Sequence, residues 1–302
     1  RLEHAAPVGG VLVGHDTYRL VRGIFDVQLQ APLSVKGKTE PVQTYVVLRA
    51  KPRAFRMATR GVEGIETRMI GRDTELATLK DAYLDAFESA ETRVAVLVGE
   101  AGVGKSRLLY EFNNWLELRP ERIIYFKGRA TPNTQNVPNS LFRDLFANRF
   151  EILDSDPISV VLDKFRHGMA VALEPDLADV VGHWLGFDFS SSPAVQRLLG
   201  GSNLTATARA FLMRYFRALS SSSTPEIRPY PTVILLEDIH WADDPSLDLA
   251  AYLSAAIPVA QLLIVAVTRP VLFERRPKWG EGETVFRRIT LKPLSRQASR
   301  AL

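Results

Sequence analysis

An α/β fold built on a five-stranded parallel sheet is what this sequence predicts, and three observations predict it. First, the apolar run Val94 to Val98 leads into Gly99-Glu100-Ala101-Gly102-Val103-Gly104-Lys105-Ser106 and then into a helix-compatible stretch. Second, Val233-Ile234-Leu235-Leu236 is continuously apolar and ends in Glu237 and Asp238, the form of a parallel strand buried on both faces that delivers carboxylates at its C-terminal edge. Third, from Met69 onward five apolar strand candidates alternate with helical stretches: Val94 to Val98, Ile123 to Phe126, Val233 to Leu236, Leu262 to Val267 and Arg288 to Leu291.

Taken in order, residues 1–50 carry short apolar segments at Val11 to Val13, Phe25 to Leu29 and Tyr45 to Leu48, with a helix-like stretch from Asp16 to Arg22. They predict a small α+β unit rich in strand. Residues 51–68 are rich in Arg, Lys, Pro, Gly and Glu without periodicity, as expected of a connector. The basic run around Phe55 could touch nucleic acid, but a solvated linker is the preferred reading. Residues 69–302 form the main domain. Between its second and third strands the chain is mostly helical. Pro138 is placed to start a helix with Leu141, Phe142, Leu145 and Phe146 on one face, and Phe211, Leu212, Tyr215, Phe216 and Leu219 repeat at helical spacing, both read as core stripes. The Ser- and Pro-rich stretch Ser220 to Pro231 reads as a loop before the acidic strand.

Composition narrows the function classes. At 302 residues, 46% hydrophobic and 24% charged, the chain can bury a large core, which excludes general disorder. With no cysteine there is no disulfide, thiolate metal site or cysteine nucleophile. No apolar run reaches the length of a membrane span and no signal-peptide pattern opens the chain, so a cytoplasmic protein without membrane contact is expected. A formal charge of +4 favours phosphate ligands and does not argue for nucleic acid. The chain opens at Arg1 in an already amphipathic stretch, as a piece of a longer protein would.

The glycine-rich segment has the spacing of a Walker A phosphate loop, and each residue type has a reason. Gly99, Gly102 and Gly104 let the loop curl so that N–H groups, that of Val103 among them, point at phosphate oxygens. The helix that follows, from Lys105 through Arg107, adds the positive end of its dipole. Lys105 reaches the β- and γ-phosphates, and the Ser106 hydroxyl takes a place on Mg²⁺. Downstream, Glu237 is expected on the metal side and Asp238 on the side of the attacking water. ATP and Mg²⁺ are thus the predicted cofactors.

Three further segments resemble AAA-type ATPases of the signal-transduction class. Met69-Ile70-Gly71-Arg72-Asp73-Thr74-Glu75-Leu76 is similar to that class's (V/I)GR-x-x-E-L motif, Glu237 to Asp243 to its acidic signature ending in His-Trp-Ala-Asp, and Thr268-Arg269-Pro270 to its sensor. The Glu-Asp order departs from the usual Asp-Asp or Asp-Glu. Over Met69 to about Leu294 this resemblance implies a P-loop NTPase three-layer sandwich with a helical insertion, the acidic and phosphate-loop strands being separated by another strand. It also implies adenine near Ile70 and Gly71, Arg72 among the cofactor-binding residues, Arg269 or Thr268 sensing the γ-phosphate, and a place near the nucleotide for His240 and Trp241.

The N-terminal unit has its own resemblance. Arg1-Leu2-Glu3-His4-Ala5-Ala6-Pro7, Val11 to Val21 and Val35-Lys36-Gly37-Lys38-Thr39-Glu40-Pro41-Val42 look like the last third of a class III adenylate or guanylate cyclase catalytic domain. The resemblance gives Arg1 the transition-state role and puts Lys36 on the phosphate side, while the metal-binding aspartates would lie upstream, so this segment by itself is expected not to cyclise a nucleotide. The order resembles bacterial cyclase and ATPase fusions. An upstream cyclase domain, a downstream helical-repeat region and a homo-oligomer are then the expected partners besides ATP. The function expected is an ATP-binding and ATP-hydrolysing regulatory module of a cyclase-linked signalling protein, with catalytic roles for Lys105, Glu237, Asp238 and Arg269. An ATP-gated scaffold with little turnover and the ATPase module of a DNA-binding transcription regulator are the alternatives.

Overall fold

The computed structural model describes residues 5–21, 25–33, 41–50, 69–119, 121–199, 203–220, 230–280 and 286–294. Arg1 and Lys36, like most of the Ser220 to Pro231 stretch, lie outside them. The chain divides into two compact units, Arg1–Arg68 and Met69–Leu302.

In the first unit β1 (Val11–Gly14), α1 (His15–Val21), β2 (Phe25–Leu33) and β3 (Val42–Ala50) form an antiparallel sheet of order β1-β3-β2 with one helix. Its small core centres on Tyr18 stacked on Tyr45, ring centroids 4.0 Å apart. The Tyr45 hydroxyl meets His15 Nδ1 at 2.9 Å. The strands β2 and β3 outrun their apolar stretches because the ladder continues through polar residues to Leu33 opposite Val42.

The second unit opens with α2 (Asp73–Ser89), β4 (Arg93–Val98), α3 (Lys105–Glu117) and β5 (Ile124–Arg129). Five helices follow, α4 (Ser140–Arg149), α5 (Ile158–Met169), α6 (Pro175–Trp184), α7 (Pro193–Leu199) and α8 (Leu204–Ser220). The chain then returns to the sheet through β6 (Thr232–Glu237), α9 (Asp244–Ala256), β7 (Leu262–Thr268), α10 (Leu272–Arg275) and β8 (Phe286–Thr290). The strand order is β5-β6-β7-β4-β8, all parallel, so β7 separates the acidic strand β6 from β4. The central strands are apolar throughout because both faces are covered. One face packs on Leu79, Tyr83, Leu108 and Phe112 of α2 and α3, all buried. The other carries the aromatic core of the insertion. Leu141, Phe142, Leu145 and Phe146 of α4 have no exposed surface there, and Phe126 meets Phe216 edge-on at 5.4 Å. Two strands depart from expectation. The strand β5 runs on through Lys127-Gly128-Arg129, where Gly128 lets α4 approach so closely that a Cβ would sit 2.8 Å from Leu141 O. The strand β8 begins at Phe286, its charged middle suited to an edge strand. Because every strand runs the same way, the ends of β4, β5, β6 and β7 gather along one edge, the place where sheets of this kind hold ligands.

Candidate nucleotide site

The loop after β4 is fixed at its base from two sides: Gly99 N–H donates to Thr268 O at 3.2 Å and Leu291 N–H to Val98 O at 2.7 Å. A Cβ on Gly99 would lie 2.8 Å from a Val103 methyl, so only glycine fits there, while Gly104 at φ +96° occupies the left-handed region glycine tolerates. Gly104 caps α3 without any side-chain hydrogen bond, which leaves the first N–H groups of that helix facing the loop. Lys105 Nζ donates to the carbonyls of Gly99 and Glu100, 2.7 Å each, and so stands in the mouth of the loop. Burial, with the positive charge of Arg269, holds this ammonium below the usual lysine range, against Asp238 and Glu100, which raise it. Ser106 is exposed in the first turn of α3. Arg107 points along the helix, paired with Glu111 and 5.4 Å from the Tyr110 ring centre.

Arg72, counted in the sequence among the cofactor-binding residues, has a different position. Its guanidinium is buried and donates to Val103 O in the loop at 2.9 Å, to Lys292 O at 2.5 Å and to Glu75 at 2.8 Å. It braces the loop from behind. Ile70 and Gly71 precede it, Gly71 in the left-handed region at φ +67°. Since lysine cannot serve carbonyls and a carboxylate as a planar fork does, Arg72→Lys is expected to lower stability by about 1–3 kcal/mol and nucleotide affinity several-fold. Chemical denaturation and calorimetric titration measure the two effects.

The acids end β6. Glu237 shares its sheet face with Val233 and Leu235, because alternate residues of a strand point the same way. That is the face of α3, since Tyr125, opposite Val233, donates its hydroxyl to Asn113 of α3 at 3.0 Å. Glu237 pairs with Lys127 at 3.2 Å. Asp238 leaves the strand at φ +54°, a left-handed conformation that aspartate tolerates better than most residues, and accepts two Arg129 nitrogens at 2.9 and 2.8 Å. Lys127 and Arg129 thus neutralise the two acids from the neighbouring strand. Asp144 receives the Arg129 backbone N–H at 2.8 Å, and burial pushes its carboxyl up. None of these three residues was marked by the sequence, where the polar end of β5 looked like the end of the strand.

Of the two sensor candidates, Thr268 is fully buried and its hydroxyl donates to Arg269 O at 3.0 Å, whereas Arg269 is partly exposed and its charge acts on both Lys105 and His240. The chain beyond Asp238 makes a 3-10 turn, Ile239–Trp241. Trp241 packs against the hydrophobic core, its ring centre 5.1 Å from that of His240. Burial holds the His240 imidazole below its usual range, with Arg269, Lys105 and Arg275 acting in the same sense and Asp238 against them. Asp243, the next acid along, is buried and accepts five hydrogen bonds, from Ser246 N (2.8 Å) and Oγ (2.6 Å), Asn139 N (2.8 Å), and Ser140 N (3.1 Å) and Oγ (3.0 Å). One carboxylate therefore caps α9 and holds the start of α4, which begins at Ser140 rather than at Pro138.

Ser106 and Glu237 supply only oxygen donors, the kind that suits Mg²⁺. Among the described residues no group of three or more His, Asp or Glu side chains could hold a metal by itself. A separate cavity of about 510 Å³ lies beside α9 and α10, lined by Asp248, Arg275, Arg276, Lys278, Trp279 and Phe286, and its Arg276 is already paired with Asp244 and Asp248. No helix among the described residues is long and apolar enough to cross a membrane.

An uncharacterized protein of Rhizobium meliloti (strain 1021) is 25% identical over 309 residues, covering 99% of this chain. The chain spans 27% of that relative's length, about a quarter. Among solved structures, the Aeropyrum pernix ORC1 protein in complex with DNA matches with a TM-score of 0.42 at 14% identity, over 79% of this chain and 50% of that one. The Drosophila ORC bound to DNA matches with a TM-score of 0.44 at 13% identity, over 89% and 53%. The model of the AAA ATPase domain family matches residues 68–265, from the segment that braces the loop to the middle of β7 and more than half of the chain, so the protein belongs to the AAA ATPase domain family.

Proposed function

We propose that the Met69–Leu302 unit binds ATP with Mg²⁺ and hydrolyses it as a regulatory module. One observation carries this reading: the Lys105 ammonium stands in the mouth of a glycine loop at the sheet edge, in the field of Asp238 and Arg269. Phosphoryl transfer to water asks a protein mainly for positioning and charge. Lys105 and the loop N–H groups hold phosphate oxygens, and Arg269 adds positive charge late in the reaction. Ser106 and Glu237 would hold Mg²⁺, which when bound neutralises charge on the phosphates. Asp238 orients the water. The ion pairs from Lys127 and Arg129 must loosen for both acids to act, and this favours a second reading, a nucleotide-gated scaffold with little turnover.

The two acids provide the test. Asp238→Asn keeps a side chain suited to the left-handed conformation, and it is expected to bind ATP within about threefold of wild type while turnover falls by about 10²-fold or more. Glu237→Gln is expected to weaken the Mg²⁺ dependence of binding instead. Exchanged phenotypes would reverse the assignment of the acids. Wild-type turnover no higher than that of Asp238→Asn would favour the scaffold.

The resemblance of residues 1–50 to the end of a cyclase catalytic domain supports a place for this module in a cyclase-linked signalling protein. The upstream cyclase domain, the downstream helical-repeat region and a homo-oligomer belong to the same proposal; sequencing of the flanking codons tests the two domains directly, and light scattering of the purified chain tests the oligomer.

A further inference from the structure

His240 is only 5% exposed, and neither ring nitrogen has a hydrogen-bond partner among the described residues. A buried donor and acceptor left unmatched cost stability that leucine or phenylalanine would not, so packing against Trp241 alone does not explain an imidazole here. Its surroundings supply a reason. The turn that carries it begins one residue after Asp238, and the charges that act on the ring are those of Asp238, Arg269, Lys105 and Arg275. Three of these four groups line the nucleotide site, and two of them, Lys105 and Arg269, are the cations that would flank a terminal phosphate.

We propose that His240 is the group that distinguishes a nucleoside triphosphate from a diphosphate in this site: the ring, both of whose nitrogens are buried, turns towards the loop when ATP is bound, and one N–H donates to an oxygen of the terminal phosphate between Lys105 and Arg269. The proposal rests on the ATP-binding reading and deepens it. A hydrogen bond to the terminal phosphate is made by ATP and lost with ADP, so its contribution falls on the difference between the two affinities. It also ties phosphate to the start of the segment that Asp243 links to α4, a route by which the state of the nucleotide would be felt in the helical insertion.

The test is calorimetric titration of the full chain with Mg-ATP and with Mg-ADP. His240→Phe keeps the ring shape and the contact with Trp241 but removes both nitrogens, and His240→Leu is a second apolar variant should the first fold poorly. The expected result is a loss of about tenfold in ATP affinity with ADP affinity within about twofold, and a melting temperature no lower than wild type. Either His240→Asn or His240→Gln, which place an amide N–H near one or other ring nitrogen, should recover ATP affinity. ATP and ADP affinities that fall together, or that both stay unchanged in a folded apolar variant, overturn the assignment while leaving ATP binding intact. A wild-type chain that binds neither nucleotide overturns the ATP-binding reading and His240's role with it.

Discussion

Replacing Lys105 with alanine is expected to weaken Mg-ATP binding by about 100-fold or more. The ammonium is held by two carbonyls 2.7 Å away, so its position is set before nucleotide arrives. Each charge-assisted hydrogen bond contributes about 1.5–3 kcal/mol, and contact with two phosphates gives about 3 kcal/mol at the least, or two decades in affinity. The fold should be unaffected, because the released carbonyls of Gly99 and Glu100 border an open site. Arg197→Ala is the control, an exposed arginine 3.5 Å from Asp176, and it should change affinity less than twofold. Calorimetric titration reads both. Wild-type affinity in Lys105→Ala would remove the phosphate-loop assignment.

Asp243→Ala should be the most destabilising single change in the nucleotide region. The lost cap of α9 costs about 1 kcal/mol. Asn139 N and Ser140 N at the start of α4 lose their acceptor in a buried place, at about 1–3 kcal/mol each. The sum, about 3–7 kcal/mol, is a large part of the stability of an ordinary domain. Asp243→Asn keeps one acceptor but turns an amide N–H₂ towards donors, and it should fall between the two. Urea unfolding followed by circular dichroism measures the loss, and a value under about 1 kcal/mol would contradict the role given to this carboxylate.

These two residues mark how far the sequence was legible. Lys105 could be found because its partners are local: loop, lysine and helix lie within a few residues, and each residue type has one chemical reason to be there. The sheet could be found because strands buried on both faces must be apolar, as β4, β6 and β7 are. Asp243 shows the limit. An aspartate before Asp-Pro-Ser signals a helix cap, but nothing nearby shows that the same carboxylate holds Asn139, 104 residues away. Arg72 is similar, since its bond to Lys292 spans 220 residues. Arg129 meets Asp238 across 109, at the end of a strand whose polar residues hid its true length. His240 stood out only through a motif, and its unmatched nitrogens could be recognised only once the packing around them was known.

The central claim, that this unit uses ATP, is tested most directly by steady-state phosphate release from purified wild-type chain supplied with Mg-ATP. Slow release that stops when the metal is chelated, and that is lost in both Lys105→Ala and Asp238→Asn, is the predicted result. Release that persists in Lys105→Ala at the wild-type rate, or a wild-type chain that neither binds nor hydrolyses ATP in the presence of Mg²⁺, would contradict it.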